Sequence, residues 1–96
     1  MPILWREQAE EDLNEVFDYL LDRNANAAIR TRDIILGQIG QLADQPGLGR
    51  PGRVTGTREL VIARTSYIVA YLVDPRLNAV VILRILHGAR LWPGEL

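Results

Sequence analysis

The sequence predicts an α+β fold: an N-terminal antiparallel helical hairpin packed on a small, mainly antiparallel β-sheet. Three observations carry that reading. Apolar residues recur at helical spacing over residues 7–44. The pattern breaks at "DQPG" (44–47), and from Glu59 onward the apolar period becomes two. The 96 residues fit one domain, 1–96, with a small core, and a hydrophobic content of 48% is ordinary for a globular chain.

Residues 3–5, "ILW", form a short apolar run that reads as a strand. Residues 7–22 read as an amphipathic helix with Ala9, Leu13, Val16, Phe17 and Leu20 on one face. The opposite face, Glu10, Glu11, Asp12, Asn14, Glu15 and Asp18, is expected in solvent. Glu7, Glu10 and Glu11 suit the positive end of the helix dipole, but Arg6 stands where a capping Ser, Thr or Asp is expected. "DRNAN" turns the chain, and Asn24 or Asn26 can cap a second helix over about 26–44. Its apolar stripe is Ala28, Ile35, Ile39 and Leu42. Gly37 and Gly40 weaken that helix, and close packing against the first helix would explain them.

"ELVIA" (59–63), "SYIVAYLVD" (66–74) and "NAVVILRIL" (78–86) read as three strands of an antiparallel meander. The last is apolar on both faces through Leu83, which suits a central, covered strand. "GLGRPGR" (47–53) lacks the Gly-Lys-Ser/Thr ending of a phosphate loop and reads as a helix-to-sheet connection.

With no cysteine and one histidine, the chain has no disulfide framework and poor means for a structural zinc site; no cofactor is expected. The N-terminus turns acidic at once, unlike a signal peptide, and no apolar run is long enough for a membrane span. A cytoplasmic location with no membrane partner is therefore expected. Net charge is −1 but uneven: nine acids against four arginines in residues 1–48, three acids against seven arginines in 49–96. A basic second half suits an anionic partner, and arginine, the only basic residue type apart from His87, suits bidentate contacts to carboxylate or phosphate.

Taken together, "AEEDL", "LADQPGLGRP", "GTREL", "YIVAY" and "ILRILHGAR" resemble the RelE/ParE superfamily of toxins from type II toxin–antitoxin systems, over about residues 3–93. The resemblance implies a helical hairpin on a small sheet, and a toxin neutralised by a cognate antitoxin in a hetero-oligomer. It also implies one of two activities: ParE-like inhibition of DNA gyrase, or RelE-like cleavage of mRNA on the ribosome.

RNA cleavage needs a proton acceptor, a proton donor and cations for the phosphorane charge. His87 with Arg58, Arg64 or Arg84 is the candidate set. Three points weigh against it. Strict strand alternation puts Arg84 and His87 on opposite faces unless a bulge intervenes or Arg90 folds back. Alignment with nucleases of the superfamily places Ile68 and Gly52 where some of them carry an arginine and a glutamate. A ribosome binder is also expected to be strongly basic.

"HGAR" and "GTREL" resemble the ParE branch, which is favoured. Arg84, His87 and Arg90 are then candidates for target contact. His87 is expected to bond to backbone or to an acid such as Glu59, and Arg84 to pair with an acid across the sheet. Trp5 and Trp92 are expected to pack rather than stack on bases. The hairpin surface around Leu13, Phe17, Leu20, Ile35 and Ile39 is the expected antitoxin site. An inactive binding module is a third possibility.

Overall fold

The structure is a computed structural model and describes every residue except Leu91 and Glu95. In chain order the elements are β1 (Ile3–Trp5), α1 (Glu7–Leu21), α2 (Ala25–Gly40), a 3₁₀ turn (Gln41–Ala43), β2 (Arg50–Pro51), β3 (Arg58–Val61), β4 (Tyr67–Asp74) and β5 (Ala79–His87). The strands form one sheet in the order β1-β5-β4-β3-β2. All pairs are antiparallel except β1 with β5, which run parallel with Ile3 opposite Val80. The α+β expectation therefore holds, with β5 an inner strand buried from Ala79 to Leu83. The two-residue β2 was not expected; it lies within the stretch read as plain loop.

As expected, Arg6 makes no side-chain cap on α1. Its own N–H donates to Ile82 C=O, so β1 hands directly into the helix. Glu7 and Glu10 supply negative charge in the first turn instead. Asn24 caps α2 by accepting from Ala27 N–H at 3.1 Å, which starts the helix one residue before the expected boundary. The whole predicted stripe, Ala28, Ile35, Ile39 and Leu42, is buried, and Ile35, Ile39 and Leu42 share one core cluster with the sheet residues. Gly37 and Gly40 do not serve close packing: a Cβ at either position would meet nothing within 4 Å.

The helix-facing side of the sheet supplies Leu60, Val69, Tyr71, Val80, Ile82 and Ile85 to the core. Trp5 packs against this core at the edge, as expected. Tyr71 is fully buried and pins the helix-to-sheet loop. Its hydroxyl donates to Pro46 C=O and accepts from Gly49 N–H, both at 2.8 Å. The approach at Gly49 is so close that a Cβ there would lie 2.7 Å from the tyrosine hydroxyl, so only glycine fits.

On the other face, Glu59 is buried and receives Arg50 and Arg53. The Arg53 guanidinium in turn lies 3.7 Å from the centre of the Trp92 ring. Gly88 lies beside Ile68 on the same face. Trp92 therefore packs on the arginine that neutralises Glu59, in keeping with the packing role expected for it.

Candidate functional site

Sequence spacing placed Asp12 among solvent-facing acids, but the fold buries it, with 5% exposure. It sits one turn from both Ala9 and Val16, the two other buried residues of α1. That spacing was the available signal. The carboxylate is saturated: Arg84 Nε donates at 2.8 Å and Arg84 Nη2 at 3.2 Å. Ile85 N–H donates at 2.9 Å and Gln8 Nε2 at 3.1 Å. The expected acid partner of Arg84 is therefore real, and it comes from α1 rather than from a neighbouring strand.

The β4–β5 ladder explains why that reach is possible. Ala70 lies opposite Arg84 and Tyr71 opposite Ile82, so Leu83 has no partner and forms a bulge. Asp12 accepts a backbone N–H at this irregularity and an arginine beside it. The hydrogen bonds that Arg84 donates to Asp12 raise the Arg84 pKa above its ordinary value, against the effect of burial.

Between α1 and the ends of β4 and β5 runs a groove of about 440 Å³. Helix α1 contributes Asp12, Glu15, Val16 and Tyr19 to its wall. Tyr67, Arg84, Ile85, His87 and Arg90 line the other side. Strict alternation separated Arg84 from His87, and residues 84–87 do pair regularly with β4; the contact with Asp12 nonetheless places the Arg84 guanidinium in the groove that His87 and Arg90 line.

His87 Nδ1 accepts from Ala89 N–H at 3.1 Å, which leaves the proton of the neutral ring on Nε2. Its ring meets Tyr67 edge-on, with centroids 5.6 Å apart. The expected bond to backbone is present. Glu59 does not face His87; it binds Arg50 and Arg53 on the far side of the sheet. Burial pushes the Glu59 carboxyl up, but hydrogen bonds from Arg53 and Arg50 outweigh it and hold it at about 2.

The remaining nuclease candidates lie elsewhere. Arg58 donates to Gly49 C=O at 2.8 Å and to Gly47 C=O at 3.4 Å, so it holds the loop. Arg64 occupies the β3–β4 turn with a φ of 69° and lines a shallow depression with Arg30 on α2. Neither lines the His87 groove. Of the antitoxin candidates, Leu13 and Leu20 are half-buried against the core, and Phe17 is half-buried beneath Arg32. Ile35 and Ile39 are correctly placed on the apolar face, but that face is filled by the chain's own sheet and offers a partner no surface there.

A helical hairpin on this five-stranded mixed sheet is the architecture of the RelE/ParE toxins. The toxin–antitoxin complex RelBE2 of Mycobacterium tuberculosis matches it with a TM-score of 0.59 at 24% identity, over 90% of this chain and 95% of that one, a likeness of fold alone. The chromosomal ParDE system of P. aeruginosa matches more closely, with a TM-score of 0.81 at 27% identity, over 91% of this chain and 95% of that one. The family model for the ParE toxin of the type II toxin–antitoxin system parDE covers residues 3–92. A protein of Sinorhizobium fredii bearing the name of a candidate toxin, Y4kP, is 36% identical over 98% of this chain and 95% of its own length. Toxin RelE3 of Caulobacter vibrioides is 39% identical over 84% of this chain and 87% of its own length. The chain belongs to the ParE toxin family of type II toxin–antitoxin systems. Among the described residues no helix is long and apolar enough to cross a membrane.

Proposed function

We propose that the chain arrests growth by binding DNA gyrase, with no chemistry of its own, and that a cognate antitoxin neutralises it in a hetero-oligomeric complex. The observation that carries this reading is the state of the cations around His87. Arg84 is tied by two hydrogen bonds to a buried carboxylate, and Arg58 lies outside the groove, tied to backbone carbonyls. Arg90 alone of the groove's arginines makes no ion pair among the described residues. A phosphorane needs several converging cations and a proton donor set opposite the acceptor. Such a site is better suited to holding a partner than to cleaving RNA. The ParE family match and the ParDE neighbour support the same branch.

A second reading is RelE-like mRNA cleavage, favoured by His87 and Arg90 sharing one groove and by the likeness to RelE3. Gyrase supercoiling by purified toxin, released from its antitoxin and refolded, separates the two. Dose-dependent loss of supercoiling, reversed by antitoxin, is the expected result. Unimpaired supercoiling with a toxin that does arrest growth sinks it, and ribosome-programmed cleavage abolished by His87→Ala would establish the alternative.

A further inference from the structure

After its internal pairings are counted, one end of the groove keeps a set of unused donors. The hydrogen bonds made by Tyr19 and Tyr67 run through their backbones, leaving both hydroxyls free among the described residues. His87 keeps Nε2–H, because Nδ1 is occupied. Arg90 makes its internal bond through its backbone N–H, to His87 C=O. All four residues line the same groove, and the Tyr67 and His87 ring centres lie 5.6 Å apart. Burial pushes the Tyr67 hydroxyl up, the Tyr19 hydroxyl adds to that rise, and the Arg90 charge opposes it. Tyr67 is therefore a neutral donor at physiological pH. The apolar floor is Val16 and Ile85.

We propose that this end of the groove receives a carboxylate side chain of the antitoxin, seated on Val16 and Ile85 by an aliphatic neighbour. The proposal rests on the toxin–antitoxin reading but not on gyrase as the target. Two phenols, an imidazole N–H and one guanidinium match the lone pairs of a single carboxylate. A polyanion fits worse. Glu15 lines the same groove on the Arg84 side, one turn from Tyr19, and Glu11, Asp18 and Asp22 are exposed on the same helix and at its end. Those charges repel a nucleic-acid backbone and tolerate one acidic side chain. The volume suits one or two side chains, not a folded element. An occupant here also covers His87 and Arg90, so binding and neutralisation coincide.

The test is a double-mutant cycle between the full-length chain and the full-length antitoxin encoded beside it. On the toxin side the variants are Tyr19→Phe, Tyr67→Phe and Arg90→Gln. On the antitoxin side each Asp and Glu is changed singly to Asn or Gln. One antitoxin substitution is expected to weaken the complex by about tenfold or more, and the loss should shrink to about threefold or less in the toxin variants. Thermal melting of each toxin variant excludes misfolding. If no antitoxin acid couples to variants that melt like the wild type, the proposal is overturned. Unchanged antitoxin affinity with lost retention of an RNA oligonucleotide also overturns it, and assigns the groove to phosphate. An antitoxin that fails to bind the unaltered chain overturns the toxin–antitoxin pairing itself.

Discussion

Asp12 and Glu59 carry the same physical problem, a carboxylate under the protein surface, solved by arginine and backbone N–H donors. For Glu59 the folded pKa of about 2 lies below the ordinary value of 4.5. Its contribution is therefore fully present above pH 4.5 and disappears as pH falls toward 2. Acid titration of stability should show a loss on the order of 2 kcal/mol from this group, and Glu59→Gln should flatten that part of the profile. Asp12→Ala leaves Arg84 and the Ile85 N–H without their partner, and chemical denaturation should register a loss of about 3 kcal/mol. Asp12 and Arg84 changed together to apolar residues of similar volume should recover much of that loss, because no charge is then stranded. Tyr71→Phe removes the acceptor for Gly49 N–H and should lower stability by about 1–3 kcal/mol, read from the same denaturation curves.

At the scale of elements, α2 carries a weakness that packing does not require. Gly37 and Gly40 stand where a methyl group would meet open space. Gly37→Ala and Gly40→Ala should each raise the unfolding free energy by about 0.5–1 kcal/mol, with additive gains in melting experiments. A decrease at either position would show that the glycine serves something beyond this chain's own fold. Strand β3 has a different device at its end. Gln38 on α2 donates to Ala63 C=O at 3.1 Å and accepts from Ala63 N–H at 2.9 Å. Its amide thus occupies a backbone position that another strand would otherwise pair with.

The whole molecule joins its ends late. β1 lies beside β5, with Ile3 opposite Val80, so the sheet is complete only when the last strand is present. The helical hairpin alone would expose Ile35, Ile39 and Leu42, all buried in the full chain. A fragment of residues 1–48 should therefore show no cooperative thermal transition by circular dichroism; a sharp one would mean the hairpin folds without its sheet. The charge imbalance between the halves is also partly internal. The acidic first half and basic second half meet at Asp12 and Arg84, and two further arginines neutralise Glu59 within the second half. What remains for a partner at the groove is Arg90, His87 and two tyrosine hydroxyls.

Periodicity determined the two helices, the three long strands, the buried stripe of α2 and the α+β class. These follow from local spacing, because the side that a residue faces is set by helical or strand geometry alone. The order of motifs determined the superfamily. Tertiary structure decided the rest. The parallel partner of β1 lies more than seventy residues away in sequence, and no local signal carries it. The bulge at Leu83 depends on pairing with β4, and the fate of Asp12 depends on which residue waits opposite it. For the same reason Arg58, Arg64, Arg84 and His87 looked alike in sequence as candidates. Only the fold shows that Arg58 holds a loop, Arg64 turns a hairpin, Arg84 answers a buried acid, and His87 opens onto a groove.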